Sequence, residues 1–124
     1  MKWLLVMAAF FGLSGVVLGA FGAHGLKGRL TESLLSAFET GVQYQFYHAL
    51  ALLALVLLYR FQPSELLIYS GWTMVAGVLL FSGSLYLLSL TGMKWLGPVT
   101  PVGGILLITG WLLLMVTAVK EAMS

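Results

Sequence analysis

The chain has 124 residues, of which 60% are hydrophobic and only 8% charged, with a formal net charge of +2 and no cysteine. Soluble domains carry about 25% charged residues, and a domain this short needs them to cover its large wet surface. A soluble globule, a disordered tail, a disulfide scaffold and a nucleic-acid binder are excluded on those grounds, leaving an integral membrane protein.

The charged residues are Lys2, Lys27, Arg29, Glu32, Glu39, Arg60, Glu65, Lys94, Lys120 and Glu121. They leave four charge-free stretches, each long enough to cross a hydrocarbon core of about 30 Å at about 1.5 Å per helical residue. The expected fold is all-α: four transmembrane helices over about 3–24, 40–59, 66–91 and 101–119, in one domain with both termini on the same side. Long alternating polar and apolar segments are missing, which excludes a β-barrel.

The first span begins after Lys2 and ends in small residues at Ala20-Phe21-Gly22-Ala23, an ending shared with signal peptides. Its apolar run is longer than theirs and carries regularly spaced glycines, so it is read as a retained helix. Ala8, Gly12, Gly15, Gly19 and Gly22 follow one another at intervals of 4, 3, 4 and 3. Small residues at that spacing mark a face where helices approach closely in lipid.

Residues 31–39 read as an amphipathic lead-in to the second span, with Thr31 as N-cap, Leu34, Leu35 and Phe38 on one side, and Glu32 and Glu39 on the other. The second span then sets Ala37, Gly41, Tyr44, His48, Ala51 and Leu55 on a single stripe. Tyr44 and His48 are four apart and Gln45 flanks them. His48 falls near mid-bilayer, where an ionisable side chain raises a functional hypothesis. The competing reading is a neutral imidazole bonded to Tyr44 or to a neighbouring Ser or Thr. No span contains a carboxylate to share its proton.

Arg60 and Glu65 bracket a short turn around Pro63. The third span places Ser70, Gly77, Ser84 and Thr91 seven residues apart, and the fourth repeats the device with Gly103, Gly110 and Thr117. A seven-residue repeat on a helix of about 3.6 residues per turn implies a left-handed bundle. Thr100-Pro101 predicts the N-cap and first residue of the last helix.

Lys2, Arg60 and Lys120 lie on the side of the termini, and Lys27, Arg29 and Lys94 on the other. This even split gives the positive-inside rule no orientation to choose; insertion one way and dual insertion both remain open. His24 ends the first span near the water boundary while His48 lies deep, so the two cannot clamp one haem. Neither a metal-ligand cluster nor a nucleophile–base pair is seen, and no cofactor is expected.

Four segments carry a family resemblance. They are Gly19-Ala20-Phe21-Gly22-Ala23-His24-Gly25-Leu26-Lys27, the run Thr40 to Ala51, Leu80-Phe81-Ser82-Gly83-Ser84-Leu85-Tyr86, and Gly97-Pro98-Val99-Thr100-Pro101-Val102-Gly103-Gly104. Together and in order they resemble the YgdD-type small inner-membrane proteins, a family of unknown function with small eukaryotic transmembrane relatives. The resemblance implies a four-helix bacterial plasma-membrane protein and no particular activity.

The candidate polar site comprises His48, Tyr44, Gln45, Ser84, Ser82 and His24, centred between the second and third spans near His48 and Ser84. The candidate packing residues are Gly12, Gly15, Gly19, Gly22, Gly77, Gly103 and Gly110. The expected function is a structural or interaction protein in contact with membrane lipids, packing with itself or with a larger membrane partner. The alternative is a small-molecule or ion permeation protein using the site near His48.

Overall fold

Apolar stretches deprived of water must bond their own backbone, and helices do so within one segment. In the computed structural model, which describes Met1–Ser124, the chain forms α1 (Lys2–Phe21), α2 (Glu32–Phe61), α3 (Glu65–Thr91) and α4 (Val99–Ala122). Four helical segments are long and apolar enough to cross a membrane: Lys2–Leu26, Glu32–Phe61, Glu65–Thr91 and Lys94–Ala122.

The connections are short and built from local chemistry. α1 widens into a π-helical turn at Gly22–Leu26, after which Gly28 reverses the chain at φ +86°. Thr31 caps α2, its Oγ1 accepting from the Leu34 N–H at 3.2 Å. With 30 residues, α2 is about 45 Å long, longer than the hydrocarbon core, so the lead-in 31–39 and the second span form one continuous rod. Ser64 caps α3 by accepting from Leu66 N–H. Gly92 ends α3 in the left-handed conformation at φ 72°, its N–H returning to Leu88 O.

The start of α4 departs from the sequence expectation. The helix begins at Val99, with Pro98 at the N-cap and no side-chain cap, following a 3₁₀ turn at Lys94–Leu96. Thr100 is therefore inside the first turn, where its hydroxyl is free to reach another helix. Pro101 also falls in that turn, where a missing N–H leaves no bond unmade.

α3 is the central element. It packs most extensively on α4 and on α2, while α1 lies against α2 and only grazes α3. The backbone of α4 approaches neither that of α1 nor that of α2. Leu4, Phe11, Leu52, Leu55, Leu67 and Met74 form the centre of the apolar core. Outward faces are also apolar, with Leu13, Leu50, Leu87 and Ile108 more than half exposed. A surface of that kind suits lipid, not water.

Small residues fix the helix spacing. A Cβ on Gly103 would collide with the backbone of Phe81, one on Gly77 would lie 2.6 Å from the Leu107 side chain, and one on Gly110 would lie 2.5 Å from Met74. On α1 and the π-helical turn that follows it, Gly15, Gly19 and Gly22 meet Phe46, Val42 and Phe38 of α2. Gly12 does not belong to this contact: nothing lies within 4 Å of its Cβ position. The buried stripe of α1 is Leu4, Ala8, Phe11 and Gly15, so Phe11 occupies the face that the glycine spacing assigned to its neighbour. A large ring fits there because it reaches the central core.

Candidate functional site: polar bridges between the helices

Three helices meet on the side chain of Gln45, which is 4% exposed. Its Nε2 donates to Phe11 O at 2.9 Å and to Ser14 Oγ at 2.7 Å, both on α1. Its Oε1 accepts from the Tyr86 hydroxyl of α3 at 2.6 Å. Because Phe11 O can only accept, the orientation of the amide is unambiguous. Ser14 in turn donates to Phe10 O, so the chain of bonds closes on the backbone.

His48 forms the second bridge. Its Nε2 accepts from Trp111 Nε1 of α4 at 2.9 Å, and its Nδ1 lies 2.7 Å from Tyr44 O. An indole N–H can only donate and a carbonyl can only accept. Both bonds therefore require the neutral imidazole with its proton on Nδ1, donated to Tyr44 O. The ring of Tyr44 stacks along His48 at 6.3 Å between centroids, and Trp111 approaches edge-on at 5.9 Å. Tyr44 itself is partly exposed and packs its ring on Phe81 at 4.7 Å.

Serines make the remaining bridges. Ser82 donates to Gly41 O at 2.7 Å, tying α3 to α2 where the Tyr86 ring covers Gly41. Ser70 donates to Gly110 O at 2.6 Å, tying α3 to α4. Ser84 donates to Phe81 O, and its oxygen is 2.6 Å from Thr100 Oγ1. Since the one hydroxyl proton of Ser84 is already committed, Thr100 is the donor of that pair.

The structure thus distributes the predicted polar residues rather than gathering them. Gln45 and Ser82 lie on the α2–α3 side, whereas Ser84 faces α4 and bonds to Thr100. His48 also reaches α4, through Trp111, and makes no bond to Ser84. His24 is exposed on the π-helical turn and takes no part. Sequence reasoning missed Tyr86 and Trp111. Tyr86 sits four residues after Ser82 on the same face, a spacing that could have revealed it. Trp111 gives no comparable signal, because it reads equally well as a lipid-facing aromatic.

No buried side-chain N or O atom lacks a hydrogen-bond partner. The arrangement can hold helices at fixed rotation and depth, since each bond joins a defined pair of levels. It offers no unpaired nucleophile or base within the bundle.

An all-α fold of four apolar helices, joined by short turns and by internal polar bridges, defines an integral membrane protein. More closely, the chain belongs to the family described as a protein of unknown function, DUF423, which it matches over residues 18–104. It is 45% identical over 121 residues to the UPF0382 membrane protein YwdK of Bacillus subtilis, covering 97% of this chain and 98% of that one. The UPF0382 membrane protein SAB0533 of Staphylococcus aureus is 43% identical over 122 residues, covering 98% and 99%. That of Staphylococcus haemolyticus, SH2409, is 42% identical over 120 residues, covering 97% and 98%. No solved structure matches the chain. The family match spans the His24 turn, Gln45, His48, Ser82 and Ser84, and ends before Trp111.

Proposed function

We propose that the protein is a helix-packing structural or interaction protein of the bacterial plasma membrane, associating through its outer faces with itself or with a larger membrane partner. The observation that carries this reading is the complete pairing of the buried polar groups inside the chain. A permeation path needs polar groups free to replace the hydration of a passing guest. Here Gln45, His48, Ser82 and Ser84 are all engaged with the protein's own atoms. The plasma membrane is favoured because the fold is helical, whereas outer-membrane spanning proteins are closed barrels.

The lack of cysteine makes the test direct. Single cysteines replace Ile108 and Leu50, on the exposed faces of α4 and α2, and Ser84 in the interior. In native membranes, the surface cysteines are expected to crosslink to a second copy or to a discrete larger partner. Ser84→Cys is expected to resist membrane-impermeant thiol reagents. Labelling of Ser84→Cys from the aqueous phase would replace this reading with permeation. Fractionation against plasma-membrane markers checks the location.

A further inference from the structure

α2 and α4 flank α3 without touching through their backbones, and towards the end that carries the termini this leaves a groove between them. Its apolar part, about 750 Å³, has walls that include Leu58, Leu114 and Ala118 and reaches Leu67 on α3. It adjoins a polar mouth of about 570 Å³ bordered by Ser64, Glu65, Lys120 and Glu121. Both compartments share Phe61, Gln62, Thr117 and Glu121, and the Gln62 side-chain amide donates to Glu121 Oε1 between them. Leu58 and Leu114 precede Gln62 and Glu121 on helices that both run towards this end. The apolar part, which also borders Ala122 at the outer end of α4, therefore extends deeper into the bilayer than the polar mouth.

From this geometry we infer that the groove is a site for a membrane phospholipid with a zwitterionic, primary-amine headgroup of the phosphatidylethanolamine class. The polarity of the groove runs as a lipid's does, tail inward and head at the water boundary. Its mouth carries charges of both signs side by side: Lys120 for a phosphate, and Glu65 and Glu121 for an ammonium. The bond from Gln62 occupies one oxygen of Glu121 and leaves the other free to accept. Ser64 Oγ accepts from Leu66 N–H and keeps its own proton for a phosphate oxygen. A primary ammonium has three N–H donors for the carboxylates. A choline head has none, and a purely anionic head would meet two carboxylates against one lysine.

The experiment is lipid retention by native mass spectrometry of the full chain, exchanged against equimolar phosphatidylethanolamine, phosphatidylcholine and phosphatidylglycerol. The expected result is one retained phosphatidylethanolamine, favoured over phosphatidylcholine by about tenfold, the scale of one charge-assisted hydrogen bond. Glu65→Gln and Glu121→Gln should each reduce that preference while the unfolding midpoint stays unchanged. Leu114→Trp, which fills the deep part, should expel the lipid whatever its head. Equal retention of the three lipids, a preference for phosphatidylglycerol, or undiminished retention in Leu114→Trp would each overturn the assignment.

Discussion

Replacing Gln45 by leucine tests the central bridge most directly. Leucine nearly conserves the volume, so the change removes hydrogen bonds without opening a large cavity. Three bonds are lost: to Phe11 O, to Ser14 Oγ and from Tyr86. Side-chain bonds between transmembrane helices average about 0.6 kcal/mol each, giving about 2 kcal/mol for the three. Phe11 O and Ser14 retain helical partners, but the Tyr86 hydroxyl loses Gln45 as its acceptor, at a further cost of about 1–3 kcal/mol. Gln45→Leu should therefore destabilise by about 3–5 kcal/mol. Adding Tyr86→Phe removes the stranded hydroxyl and should restore about 1–2 kcal/mol. The assay is reversible unfolding of the purified protein in mixed micelles titrated with SDS, followed by circular dichroism. Additive effects of the two substitutions, or a loss below about 0.5 kcal/mol for Gln45→Leu, would refute the argument that this amide joins α1, α2 and α3.

Four further outcomes are expected. In the same assay, Gly103→Ala should cost about 1–3 kcal/mol because its Cβ meets the Phe81 backbone. Gly12→Ala, with open space around it, should be neutral or stabilise by up to about 1 kcal/mol. Nitrogen NMR of labelled histidine should find His48 in the neutral Nδ1–H tautomer, and Trp111→Phe should shift Nε2 while leaving Nδ1 protonated; a proton on Nε2 would contradict the geometry. Thr31→Ala should cost about 1 kcal/mol and speed amide exchange in residues 32–36 without affecting α3.

Much of the architecture was legible because lipid imposes a coarse rule. Charges such as Lys27, Arg60 and Lys94 cannot sit in hydrocarbon, so their positions delimit the spans. Thr31 was legible as a cap because its signal is local. The interior was harder to read. Gly12 and Phe11 are adjacent, and a spacing rule that counts only small residues cannot choose which of them faces the core. Thr100 carries the sequence signature of an N-cap, yet its hydroxyl serves Ser84, because α4 starts two residues earlier. Gln45 and His48 were visible as polar residues at depth, but not their partners. Those depend on which helices are neighbours, and no pattern within one helix encodes that.

The placement of α4 has a consequence for how the chain is made. Synthesis delivers α1, α2 and α3 first, and the Gln45 bridge is complete once residue Tyr86 has entered the bilayer. Every group in that bridge belongs to the first three helices, whereas Ser70, Ser84 and His48 must wait for α4. A serine can wait at little cost, because its hydroxyl can bond to a carbonyl one turn back on its own helix, and Ser84 already donates to Phe81 O. The α3 face left bare longest during biogenesis is thus furnished with side chains that can satisfy themselves until the last helix arrives.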